Sequence, residues 1–271
     1  MAELIFSKLL IQLLFTVGVI VCSGVLLAWS KRFFLRSCGS AGYHVQIVTG
    51  VIGTPVHELS HALFCVIFGH KIVEMKLFTP NALDGSLGYV SHTYKKKNLW
   101  HQLGNFFIGI APILGGTGVL LLLLRLLLPA TFSGISSALA YGGSSIVSSS
   151  GSFSADALIH TVTEMLKALF LPENFKSWQW YVYMLLAVFI LMHMEVSPSD
   201  IRSGFLGFVF FALIFLAVDA ALALLAPAML VSFTSIVISL GAYLLSFLSL
   251  SVLLSLLMAV ISIPVRFFGG K

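Results

Sequence analysis

The chain has 271 residues and a net charge of +5, yet only 9% of its residues are charged while 59% are hydrophobic. A soluble domain carries roughly a quarter charged residues, so this composition excludes an ordinary water-soluble globular protein. The basic residues lie between hydrophobic segments, where membrane topology places them, and they do not indicate a nucleic-acid partner. We therefore expect one membrane-embedded domain over residues 1–271, with the lipid bilayer as its surroundings.

The hydrophobic segments predict an all-α polytopic membrane protein with about six transmembrane helices, because each crossing needs about 20 apolar residues. In chain order the predicted spans cover about 4–29, 43–68, 106–128, 178–194, 199–227 and 230–263. Gly50, Gly53 and Pro55 fall in the first half of the second span. Glycine and proline weaken a regular helix, so this half is expected to be bent or partly re-entrant.

Two longer connections separate the spans. Residues 70–100 contain two strand-like runs around a turn-forming segment, which predicts a small β-hairpin at the membrane surface. The strands are expected over Ile72–Phe78 and Leu87–Tyr94, with the turn at Asn81–Ser86. Residues 129–177 form a surface connection that opens with a flexible stretch rich in serine and glycine, followed by a short helix over Ala155–Phe170.

The distribution of lysine and arginine favours a cell-membrane protein with both termini in the cytoplasm. With six spans, the inner side holds nine basic residues: Lys8, Lys71, Lys76, Lys95, Lys96, Lys97, Arg202, Arg266 and Lys271. The outer side holds six: Lys31, Arg32, Arg36, Arg125, Lys167 and Lys176. The cluster from Lys31 to Arg36 is expected at a membrane surface at the end of the first span, and it opposes this orientation.

The second span carries the sequence His57-Glu58-Leu59-Ser60-His61. Two histidines four residues apart lie on one face of a helix, where they can share one Zn²⁺ ion. The intervening Glu58 can act as general base toward a water whose pKa zinc lowers to about 7. Ionisable residues inside a membrane span are costly and usually functional, so this setting strengthens the prediction of a metal site.

A third zinc ligand is sought among the acidic residues, and Asp200 is the leading candidate. It follows Ser197 and Pro198 in a pattern that predicts a helix start, with Ser197 as N-cap and Asp200 as an acid of the first turn. Capping and metal binding are compatible, because a carboxylate has two oxygens. Asp219 is a rival, although a partnership with a hydroxyl group or with Arg125 explains it more simply.

Several other residues receive weaker assignments. His193 and Glu195 are expected to support the site, by orienting Asp200 or the substrate. Five further histidines are expected to be solvated or interfacial: His44, His70, His92, His101 and His160. The three cysteines show no metal-ligand spacing and are interpreted as small apolar residues: Cys22, Cys38 and Cys65.

Together these features resemble the site-2 protease family of intramembrane zinc metalloproteases. The resemblance rests on the motif Pro55–Ala62 in a span, the strand-rich stretch after it, the glycine- and proline-bearing segment Asn105–Gly116, and the aspartate in Ser197–Ile201. It covers about residues 51–208. In the well-known members the ligand aspartate follows an asparagine- and proline-bearing motif and precedes a glycine, so Ser-Pro-Ser-Asp-Ile indicates a divergent branch.

The resemblance implies a zinc endopeptidase that hydrolyses a peptide bond in or near a membrane segment of a protein substrate. It implies His57, His61 and an aspartate as ligands, Glu58 as catalytic acid/base, and a hairpin that helps to present the substrate. Two alternatives stay open at this point. One is a membrane zincin that cleaves peripheral peptides with a glutamate ligand, Glu164 or Glu195; the other is a non-catalytic scaffold, channel or transporter with a vestigial metal site.

Overall fold

The computed structural model describes residues 2–80, 86–148 and 152–264, and it shows an all-α polytopic membrane protein with one small β-hairpin. Its elements are α1 (Ala2–Leu13), α2 (Val19–Ser37), α3 (Gly42–Ile67), β1 (Lys71–Lys76), β2 (Tyr89–Thr93), α4 (Leu99–Leu127), α5 (Pro129–Ser145), α6 (Ala155–Leu169), α7 (Trp178–Leu191), α8 (Pro198–Leu225) and α9 (Pro227–Ile261). A π-helical turn, Leu14–Gly18, joins α1 to α2. The predicted hairpin turn lies outside the described residues, except for Ser86.

Five helical segments are long and apolar enough to cross a membrane: Glu3–Ser37, Gly39–Ile67, Leu99–Leu127, Pro198–Leu225 and Pro227–Ile261. The fourth predicted span, 178–194, differs from this group because it forms the 14-residue helix α7. At about 1.5 Å per residue α7 is roughly 21 Å long, which is shorter than a hydrocarbon core of about 30 Å. The segment 178–194 is therefore not a full span by itself.

The first helical segment also runs further than predicted. Lys31, Arg32 and Arg36 lie within α2 and not beyond its end. Lys31 is buried, because its ammonium group pairs with the Glu195 carboxylate at 2.7 Å. Lys31 is therefore enclosed by protein, and its predicted position at the level of a membrane surface stays a prediction.

The motif helix α3 is one continuous α-helix that contains Pro55, so its first half is not broken, and the predicted bend stays a prediction. Its small residues permit close packing. A Cβ atom on Gly50 would collide with Leu87, which comes just before β2, and one on Gly53 would collide with the carbonyl oxygen of Phe189 in α7. Small residues at such positions let backbones approach closely inside a membrane. The consequence is that the hairpin and the end of α7 lie directly against the motif helix.

The serine- and glycine-rich stretch after α4 is not the predicted flexible segment but the helix α5. It packs antiparallel to α6, with Gly142 of α5 against Thr161 of α6. This helical hairpin contacts the middle of α9, where Gly142 lies against Ser246. It also contacts the π-helical turn, because the Phe153 ring between α5 and α6 stacks on Phe15 with centroids 6.4 Å apart.

Contacts between the long helices give their relative directions. α9 runs parallel to α1 and α2, because Gln12 bonds to Thr234 and Ser30 bonds to Ser255. α8 runs antiparallel to α4, with Asp200 against Gly109 and Gly207 against Gln102. The large apolar side chains of α8, such as Phe205, Leu213 and Leu224, are exposed, as a lipid-facing surface requires.

A buried polar cluster joins three of these helices. Asp219 of α8 is completely buried, and its Oδ1 accepts a hydrogen bond from the Gln12 side-chain amide of α1 at 3.1 Å. The same amide donates to the Thr234 hydroxyl of α9 at 3.1 Å. The expected partner of Asp219, a hydroxyl group or Arg125, is therefore replaced by a glutamine amide, while Arg125 lies over the Phe132 ring.

Candidate metal centre

His57 and His61 lie one turn apart on α3, and both imidazoles are fixed by the backbone of other elements. His57 Nδ1–H donates to the carbonyl oxygen of His193 at 2.7 Å, and His61 Nδ1–H donates to the carbonyl oxygen of Ile108 in α4 at 2.8 Å. Histidines that bind metals usually donate their second ring N–H to such an acceptor, which sets the tautomer and the ring orientation.

These hydrogen bonds leave the two Nε2 atoms as the free lone-pair sites. They face each other at 3.2 Å. Two neutral imidazoles that present lone pairs to each other at this distance repel, and a shared cation removes the repulsion. Two nitrogens bound to one tetrahedral zinc at 2.0–2.1 Å lie about 3.4 Å apart, so the observed separation fits the metal.

Asp200 completes a group of three ligand-type side chains. Its Oδ1 lies 3.6 Å from His61 Nε2, and one ligand atom each from His57, His61 and Asp200 lies within 4.8 Å of the others. The carboxylate also caps its own helix, because Oδ2 accepts from the backbone N–H and the hydroxyl of Ser197 at 3.0 Å and 2.6 Å. The predicted N-cap at Ser197 and first-turn position of Asp200 are confirmed.

Glu58 is buried and lines a cavity of about 250 Å³ that His57 also lines. The cavity is bounded by groups from four regions of the chain: Lys31, Gln46, Thr54, His57, Ser86, Leu87, Gly88, His193, Glu195 and Ser197. Its wall therefore includes the segment that leads into β2. A carboxylate in the wall of this cavity can exchange a proton with a molecule that enters it.

His193 is the main support of His57. Its carbonyl oxygen holds the His57 imidazole, as described above, and its own ring lies between two threonines of α3. The Nε2 atom is 3.1 Å from the Thr49 hydroxyl, and Nδ1 is 3.5 Å from the Thr54 hydroxyl. The residue thus acts on the histidine pair through its backbone, which the sequence could not indicate.

The glutamates considered as alternative ligands have other partners. Glu195 lines the same cavity but forms the ion pair with Lys31. Glu164 is on α6, where it pairs with Lys167 at 2.7 Å. Asp219 belongs to the cluster with Gln12, on the part of α8 that lies well beyond Asp200. The structure therefore brings Asp200, and not these residues, to the histidine pair.

A second group with ligand-type side chains lies at the end of the motif helix. Cys65 and His70 are buried, His92 is half-buried, and one ligand atom from each lies within 4.8 Å of the others. Burial lowers the pKa of His70 and of His92 from its ordinary value, which favours the neutral imidazole. His70 is therefore not solvated, whereas the interpretation of Cys65 as a small apolar residue and the interfacial position of His70 stay predictions.

An apolar cavity of about 540 Å³ reaches Asp200 from another direction, between α2, α4 and α8. Its lining includes Ile20, Val25, Ile110, Ile201 and Phe205, with Arg32 as a charged side chain among them. The candidate centre is thus adjacent to a polar cavity at Glu58 and to an apolar one at Asp200.

Comparisons with protein-family models, with curated proteins and with solved structures found no match.

Proposed function

We propose that this protein is an intramembrane zinc endopeptidase that hydrolyses a peptide bond in or near a membrane segment of a protein substrate. The observation that supports the proposal most is the grouping of the two Nε2 lone pairs and Asp200 Oδ1 within 4.8 Å of one another, with the two histidines on the helix that also carries Glu58. His57, His61 and Asp200 would hold the ion. Zinc, when bound, supplies a Lewis acid that acidifies water and polarises a carbonyl group.

Glu58 is assigned the proton transfers. Its carboxylate takes a proton from the attacking water and gives a proton to the departing amine, as a general base and then a general acid. The water-poor position of Glu58 suits this role, because burial strengthens electrostatic interactions with the reacting groups. Lys31 and Glu195 also line this cavity, and they are assigned the role of orienting a substrate backbone.

A membrane segment is the substrate class that the surroundings favour. The apolar cavity beside Asp200 accommodates hydrophobic side chains, and the polar cavity is bordered by Ser86–Gly88, just before β2. An extended peptide can pair with such a strand segment through main-chain hydrogen bonds. This pairing would also unwind a helical substrate, and unwinding exposes a peptide bond that a helix shields.

Metal analysis tests the first step of this proposal. The purified wild type is expected to hold zinc that depends on His57, so His57→Ala loses one equivalent relative to wild type. His44→Ala is the matched control, because His44 lies at the start of the same helix and outside the ligand group. Equal zinc content in wild type and His57→Ala would overturn the assignment of this centre.

The side of the membrane on which each terminus lies depends on the number of crossings. α7 runs toward the candidate centre, where Met194 lies against Gly116 in the middle of α4, and α8 continues from there toward the end where Asp219 meets Gln12. We infer that α7 and α8 make one crossing together. Five crossings place the two termini on opposite sides of the cell membrane, with the N-terminus cytoplasmic and the C-terminus outside.

Reporter fusions at the two ends test this topology. A reporter that is active only in the cytoplasm is expected to be active when fused before Ala2 and inactive when fused after Lys271. Insertion of the same reporter between α3 and α4, near Lys96, serves as an internal reference and is expected to be active. Activity at both termini would restore the six-crossing topology.

A further inference from the structure

The end of the motif helix positions Cys65 and His70 through its backbone. The helix ends with a Schellman motif, in which His70 N–H donates to the Cys65 carbonyl oxygen at 2.8 Å and Gly69 N–H donates to the Val66 carbonyl oxygen at 3.1 Å. Gly69 has a φ of +71°, the left-handed conformation that this motif requires and that glycine adopts readily. This turn returns the chain to the last helical turn, and a ring nitrogen of His70 lies within 4.8 Å of the Cys65 Sγ atom.

The His70 tautomer is fixed in the same way as those of the motif histidines. Its Nε2–H donates to the carbonyl oxygen of His101 at 2.9 Å, so Nδ1 carries the lone pair. That lone pair faces His92 Nδ1 at 3.0 Å. The ring is held from its face by Tyr94, which stacks on it at 4.9 Å between centroids. A buried thiol, an oriented imidazole and a second imidazole thus converge, with a carbonyl acceptor behind the first.

We propose that Cys65, His70 and His92 form a second metal site, which binds Zn²⁺. One thiolate and two imidazoles select zinc over Mg²⁺ or Ca²⁺, which prefer oxygen ligands. Sulfur and nitrogen bound to one tetrahedral zinc lie about 3.6 Å apart, so ligand atoms within 4.8 Å need to move by only about 1 Å. On binding, the Cys65 S–H bond breaks, a metal–sulfur bond forms, and the proton leaves to solvent.

This site would join the hairpin to the motif helix. Cys65 is on the last turn of α3, His70 comes immediately before β1, and His92 is on β2, opposite Ile72. The segment before β2 lines the cavity at Glu58, so the metal would fix a wall of that cavity. Three protein ligands leave a fourth position for a water molecule or another donor. The site does not depend on the proposed peptide hydrolysis.

Cobalt spectroscopy distinguishes the two centres, because only the second contains a sulfur ligand. The full-length protein, freed of metal with a chelator and then given Co²⁺, is expected to show a sulfur-to-cobalt charge-transfer band in the near ultraviolet. His57→Ala is expected to keep this band, since it affects only the first centre. Cys22→Ser/Cys38→Ser is also expected to keep it, because Cys65 is then the only thiol of the chain.

Cys65→Ser is expected to remove the band, and one equivalent of Zn²⁺ per site is expected to displace Co²⁺ and abolish it in the wild type. The proposal is overturned if the wild type binds Co²⁺ without this band, if the double cysteine variant loses it, or if Zn²⁺ does not displace it. The double variant leaves Cys65 intact, so the result stands even if Cys65→Ser does not fold. If the charge-transfer band is present but His57→Ala holds as much zinc as the wild type, only the first centre is rejected.

Discussion

Glu58→Gln is expected to abolish peptide hydrolysis while the zinc content remains that of the wild type. Glutamine has nearly the same shape as glutamate but cannot accept a proton, and general acid–base catalysis contributes about 10²- to 10⁴-fold to a rate. The measurement uses hydrophobic helical peptides in liposomes, with cleavage followed by mass spectrometry and zinc by elemental analysis. If the variant keeps its zinc but loses activity, the loss is due to the missing proton transfer and not to a lost metal site.

A matched control for this experiment is Glu164→Gln. Glu164 is a half-exposed residue of α6 that pairs with Lys167 and is not among the residues that line the cavity, so its amide variant changes the same functional group elsewhere. It is expected to cleave at the wild-type rate. If Glu58→Gln and wild type cleave equally, the peptidase proposal is rejected even when zinc is present, and a non-catalytic metal-binding membrane protein becomes the better interpretation.

Asp200→Ala is expected to lower zinc affinity by at least about tenfold, since even a residue that only supports a ligand typically contributes 10- to 100-fold. The control is Ser197→Ala, which removes the hydroxyl donor to Oδ2 but leaves the carboxylate and the backbone N–H of residue 197. That variant loses a cap worth about 1 kcal/mol of stability and is expected to keep its zinc. Zinc competition with a chromophoric chelator measures both.

The comparison of the two variants separates the two functions of Asp200. Equal zinc loss in both would indicate that the carboxylate matters only through the helix start. Full zinc in Asp200→Ala, together with zinc loss in Glu195→Ala, would identify Glu195 as the ligand and break the present assignment. Lys31, the partner of Glu195, would then have to release it.

The features that the sequence predicted well depend on local chemistry. The motif His57–His61 needs only the helical repeat to bring two imidazoles together, and the cap at Ser197 needs only a four-residue pattern. The hairpin was also predicted, although β1 begins and ends earlier than the proposed first strand. Long apolar segments gave the all-α membrane class because composition alone determines that lipid, and not water, surrounds them.

The features that were missed depend on packing between distant segments. Gly50 and Gly53 looked like helix breakers because their partners, Leu87 and Phe189, cannot be identified from the surrounding sequence. Cys65 and His92 are 27 residues apart, and only the pairing of β1 with β2 brings them together. The stretch after α4 looked flexible because its stability comes from contacts with α6 and α9, and not from its own composition.

The helical hairpin of α5 and α6 has a consequence for biogenesis. It packs against the middle of α9, which is synthesised after α5 and α6, and Ser30 of the first membrane segment also contacts α9. Neither α5 nor α6 is among the segments long and apolar enough to cross the bilayer. Their final position therefore depends in part on a partner that is synthesised later. A ribosome stalled before α9 would leave the hairpin without this contact, while the first segment would keep its contacts with Glu195 and Asp219.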